Sequence, residues 1–154
     1  MGSHNPFDPM NILFARHAQH VVLIHFPIAL FTIGVLFDLG GQWTKRTGLA
    51  DAAYYNLMVA AVSTVPVLVT GVLAWRFALE GQRLKGVLFL HLLLGSASAI
   101  LICTAWWIHY RARKENRPPA AYRWPIEIVG LVLVSVTGHL GGFLSGVNGG
   151  PRPS

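Results

Sequence analysis

The sequence predicts an all-α integral membrane protein, a four-helix up-down bundle with both termini on the outer, periplasmic side. Three observations predict it. Of 154 residues, 53% are hydrophobic and only 12% are Asp, Glu, Lys or Arg, about half the usual quarter for a soluble globular domain. The few charges leave four long uncharged runs between them. Aromatic residues gather at the ends of those runs. A mean hydropathy of +0.51 leaves too little polar surface for a soluble domain to cover itself. Composition therefore argues against a soluble enzyme, a disordered tail and a nucleic-acid module. The single cysteine, Cys103, excludes an intrachain disulfide and any CxxC-type zinc site.

Each run justifies one helix. The stretches between Arg16 and Asp38, Asp51 and Arg76, Lys85 and Arg111, and Glu127 and Arg152 hold 21, 24, 25 and 24 uncharged residues. A membrane helix needs about 20 apolar residues to cross about 30 Å of hydrocarbon. The spans are placed near residues 20–42, 54–78, 86–110 and 125–145. The first is not a cleavable signal, because it ends in Asp38-Leu39-Gly40-Gly41 rather than a small-residue cleavage site. Trp43, Tyr54, Tyr55, Trp75, Trp106, Trp107, Tyr110, Tyr122 and Trp124 fall near the span ends, where amphipathic rings favour the interface. The division is an N-terminal segment 1–17, a transmembrane domain 18–146 and a C-terminal tail 147–154.

Loop charges assign orientation. One side carries Lys45, Arg46, Arg111, Arg113, Lys114, Arg117 and Arg123; the other carries Arg16, Arg76, Arg83, Lys85 and Arg152. The more basic side is cytoplasmic by the positive-inside rule. The net charge of +6 thus marks topology and contact with anionic lipid, and nucleic acid is not expected as a partner.

Seven histidines are many for so small a membrane protein. His109 reads as an interfacial residue at the inner end of the third span. His25 and His91 each lie about five residues into their spans, and His139 lies about six from the outer end of the fourth. At 1.5 Å per residue all three sit roughly 8–9 Å below the outer interface, with His20 just above them. Ionisable groups inside a membrane are costly and usually functional. Small residues share their faces: Gly95 and Ser98 with His91, and Gly138 and Gly142 around His139. That leaves room for a flat group such as a porphyrin, although small residues four apart also serve plain helix packing. The cluster offers no thiolate or carboxylate, and an all-imidazole site suits haem iron, copper or zinc. Pro27 frees the carbonyl of Leu23, either as an anchor for a histidine proton or as a kink.

The run His20-Val-Val-Leu-Ile-His25-Phe26-Pro27-Ile28-Ala29-Leu30, followed by Leu36-Phe37-Asp38-Leu39, resembles the bacterial DUF2231 family of predicted membrane proteins. Thr70-Gly71, His91-Leu92-Leu93-Leu94 and Gly138-His139-Leu140-Gly141-Gly142 match its later motifs, over residues 18–146 in all. The chain departs from the pattern at Val21, where proline is frequent, and after Thr70-Gly71 and Gly142. His139 also stands where another residue is common, which ranks it behind His25 and His91. The resemblance implies a bacterial inner-membrane protein. Relatives fused to Rieske or cytochrome-like domains suggest membrane redox chemistry.

The expected function is a b-type haem electron-transfer subunit of a larger complex. His25 and His91 are the axial ligands, with His139 and His20 as supporting or alternative ligands. Gly95, Gly138 and Gly142 line the site. Quinone and periplasmic carriers are the expected partners. The competing expectations are a non-haem structural or assembly subunit, and a histidine copper or zinc site. No catalytic set is visible: the chain shows no Ser/His/Asp arrangement, phosphate loop or paired carboxylates.

Overall fold

The computed structural model describes residues 16–78, 81 and 83–144. The described chain is helical, in the order α1 (Arg16–Leu23), α2 (His25–Thr44), α3 (Thr47–Leu73), a π-helical turn (Ala74–Ala78), α4 (Gly86–Lys114) and α5 (Arg123–Leu144). Four segments are long and apolar enough to cross a membrane: Gln19–Thr44, Thr47–Phe77, Gly86–Lys114 and Arg123–Leu144. Of the expected N-terminal segment 1–17 only Arg16 and His17 are described, and the tail 147–154 lies outside the described residues.

The first span, Gln19–Thr44, is interrupted at a single residue close to its proline. Pro27 has no N–H for the carbonyl of Leu23 and its ring crowds that carbonyl. The helix opens at Ile24, between α1 and α2. α2 ends at Lys45 in the left-handed conformation (φ 56°), and only Lys45 and Arg46 separate it from α3. So short a link forces α2 and α3 into an antiparallel hairpin. Glycines let the two backbones close up: a Cβ on Gly34 would stand 3.0 Å from Leu57 Cγ, and one on Gly41 3.3 Å from the Ala50 nitrogen. At the far side Asn116 (φ 48°) ends α4, and Pro118-Pro119 carries the chain across to α5.

The second span starts at Thr47, seven residues before the expected 54. α4 runs four residues past the expected 110, to Lys114. Both extensions lie at the same end of the bundle, where Arg113 Nη1 bonds Asp51 Oδ1 at 2.6 Å and covers the Tyr54 and Tyr55 rings. The helices therefore continue beyond the apolar stretch as a paired, polar collar.

Packing follows membrane rules rather than soluble ones. The core around Phe31, Leu57, Ile102 and Val134 is filled out by Ala60, Ala61 and Ala105, while large apolar side chains such as Val62, Ile100, Leu36 and Ile128 are exposed. Lipid is as apolar as leucine, so burial there gives helices little reason to associate. Close packing of small residues and polar contacts must do it instead.

Candidate cofactor cavity and a buried charge cluster

α1, the start of α2, α3, α4 and α5 enclose a partly open cavity of about 280 Å³ at the end of the bundle where α1 begins and α5 ends; His20, Pro27, Gly71, His91, Gly95 and Thr137 are in its wall. The wall is almost wholly apolar apart from these imidazoles and a few hydroxyls.

His20 and His91 meet there edge-on, ring centres 6.4 Å apart and planes at 88°. Each ring is tied through Nδ1. His20 Nδ1 lies 3.2 Å from Thr70 Oγ1. That hydroxyl also lies 2.8 Å from the carbonyl of Pro66 and 3.1 Å from that of Val67, and when it donates to them it accepts from His20. Pro66 and Thr70 thus act as a unit on α3. His91 Nδ1 donates to the carbonyl of Thr137 on α5 at 3.1 Å. In the neutral form, a proton on Nδ1 would leave each ring its Nε2 lone pair. Two glycines hold the rings in place by what they lack. A Cβ on Gly71 would come within 3.0 Å of His20 Cε1, and one on Gly141 within 3.2 Å of His91 Cε1.

The other expected site residues are placed differently. Gly95 lines the cavity, whereas His25, His139, Gly138 and Gly142 are not part of its wall. His25 is exposed and its Nδ1 donates to the carbonyl of Val21 at 2.7 Å. His139 is also exposed, its ring edge-on to Phe143 with centres 5.0 Å apart.

The opposite half of the bundle holds a feature the sequence reading did not assemble. Asp38, His109, Arg123 and Glu127, from α2, α4 and α5, are all buried, with Glu127 0% exposed. Arg123 Nε donates to Asp38 Oδ2 at 2.7 Å. His109 Nε2 lies 3.0 Å from Glu127 Oε1. The Arg123 guanidinium also packs over the Trp124 ring, 4.2 Å from its centre. Three intramembrane ionisable side chains on separate helices were the signal available in the sequence. His109 read alone as an interfacial group concealed it. Beyond the spans, Arg117 and Arg111 hold the Glu115 carboxyl below the usual carboxylate range through direct hydrogen bonds.

The fold and its lipid-like exterior define a multi-pass helical membrane protein. The family model for a predicted membrane protein, DUF2231, matches residues 16–149. The chain belongs to that family. No curated protein and no solved structure matches it.

Proposed function

We propose that the chain is a b-type haem subunit of a membrane electron-transfer complex, with the iron held between His20 and His91. One observation carries this reading: two neighbouring imidazoles on different helices, each held by an Nδ1 hydrogen bond, with ring centres 6.4 Å apart. A metal ion about 2.0 Å from the nitrogen of each of two opposed imidazoles separates their ring centres by roughly 6.3 Å. Nδ1 bonded to a carbonyl or hydroxyl is the usual support of a metal-bound imidazole, since it fixes the tautomer and the ring orientation. With the proton on Nδ1, Nε2 would offer a lone pair, which suits a Lewis acid.

The cavity itself lies near the lower bound of about 300–1,000 Å³ for small-molecule sites. A macrocycle would therefore occupy it with part of its face and project through the open side. Arg76, Arg83 and Lys85 lie on the same end of the bundle and are exposed, available to carboxylates of such a group. Haem would supply one-electron exchange, passed between membrane quinone and a carrier or partner subunit on the periplasmic side. His25 and His139, placed outside the wall, serve as surface groups in this reading.

A pyridine haemochrome spectrum of protein purified from membranes is expected to show a stoichiometric b-type α-band. His20→Ala and His91→Ala each lose it, while His25→Ala and His139→Ala keep it. A helical, monodisperse protein with no α-band, or a band indifferent to His20 and His91, would sink the proposal.

A further inference from the structure

We infer that Asp38, His109 and Glu127 form a second site, for a first-row divalent metal ion, in the half of the bundle away from the cavity. This inference does not depend on the haem reading. One ligand atom from each residue lies within 4.8 Å of the others, and all three side chains are buried. His109 Nε2 and Glu127 Oε1 are 3.0 Å apart, which is the spacing of two ligands at right angles on an ion about 2.1 Å from each. Replacing their hydrogen bond by two metal bonds therefore needs almost no movement of these two groups. The Asp38 carboxylate closes the triangle with a small approach, and Arg123 Nε already orients it from outside at 2.7 Å. Such an outer hydrogen bond to a ligating carboxylate is the ordinary support of a metal site.

A second, independent observation points to an occupant. Among the described residues, Glu127 Oε2 and Arg123 Nη2 are buried without a hydrogen-bond partner. An unpaired buried acceptor is costly, and more so when it is charged. An ion satisfies Oε2 directly, and a water on that ion accepts from Nη2. Charge agrees. With His109 neutral, two carboxylates face one guanidinium, which leaves one excess negative charge that draws a cation. α3 adds nothing to that count: it turns Ala53 and Leu57 inward, and its Asp51 is engaged by Arg113 at the surface. The donor set of one imidazole and two carboxylates selects manganese through zinc over calcium and magnesium, which favour all-oxygen shells.

The test uses the full chain in detergent or nanodiscs, stripped with a chelator and given Zn2+ or Mn2+ alone. His20→Ala/His91→Ala is the background, so that the cavity imidazoles do not take up the metal. One tightly held equivalent per chain is expected, surviving gel filtration, and lost in Glu127→Gln and His109→Gln. Zinc K-edge absorption of the same background is expected to show an oxygen-rich shell with a single imidazole, a readout that holds even where Glu127→Gln does not fold. No retained metal, a shell with two or more imidazoles, or binding indifferent to Glu127 would overturn the site. A cluster that answers only to pH, with a proton on His109 neutralising it, would overturn it as well.

Discussion

Gly130 on α5 lies against Phe31 on α2. A Cβ there would stand 2.8 Å from Phe31 Cζ, and Phe31 is fully buried. The ring has nowhere to go in a close-packed interior. Gly130→Ala is expected to destabilise the protein by about 1–3 kcal/mol, the usual cost of overpacking, read as a lower unfolding temperature in detergent. Gly48→Ala is the control: a Cβ there meets nothing within 4 Å, and Ala is the better helix former by up to about 1 kcal/mol. Its unfolding temperature should stay level or rise. The same scale separates what the histidine positions reveal from what they conceal. Depth follows from counting residues, so three imidazoles at one level are legible in the sequence. Rotation about the helix axis is not. In a soluble helix the apolar stripe sets the inward face, but a span is apolar all round. His25 and His91, expected at one depth, differ in facing: one is exposed and the other lines the cavity.

At the scale of elements, Pro27 removes one helical hydrogen bond just after the segment that carries His20. α1 and α2 would be one helix but for Pro27, and His20 lies on the short piece before the break. The Nδ1 of His20 reaches across to Thr70 on α3, while His25, just after the break, bonds back to Val21. Pro27→Ala restores the missing donor to the Leu23 carbonyl and is expected to close the one-residue interruption at Ile24. Helix content by far-UV circular dichroism should hold or rise, while the haem α-band falls as His20 swings away from His91. An unchanged band would show that the break is not what positions His20. The spans themselves were legible because charge-free runs are long and loops are charged. Their ends at Thr47 and Lys114 were not, because Asp51 and Arg113 pair across helices and let the helices outlast the apolar stretch. The Asp38–Arg123 contact spans 85 residues of chain, and no local pattern predicts so distant a partner.

At the scale of the whole molecule, the two sites lie in opposite halves of one bundle, so orientation decides which compartment each faces. By sequence, the loops between the first and second and the third and fourth spans hold seven Lys and Arg, against five in the segments expected on the other side. Basic residues near span ends set topology, and acidic ones contribute little, so the pairing of Arg111 and Arg117 with Glu115 does not cancel their weight. The more basic end is expected in the cytoplasm. The cavity then opens toward the periplasm, and the Asp38–Glu127 cluster lies within reach of cytoplasmic metal. Cys103 is exposed, so Cys103→Ser comes first. Into that background go Leu84→Cys, Thr47→Cys and Asn116→Cys, all at exposed positions outside or at the ends of the helices. A membrane-impermeant maleimide added to intact spheroplasts should label Leu84→Cys alone, and the other two only after permeabilisation. The reverse pattern would invert the molecule and both compartment assignments. The small margin supplies a sharper check. Lys45→Gln with Arg46→Gln removes two of the seven and leaves the ends equal at five each. If charge alone decides the topology, that variant should insert both ways, and Leu84→Cys in it should label to a clearly intermediate extent. Full labelling would mean that the collar of Asp51, Arg113, Tyr54 and Tyr55 anchors that end independently of its net charge.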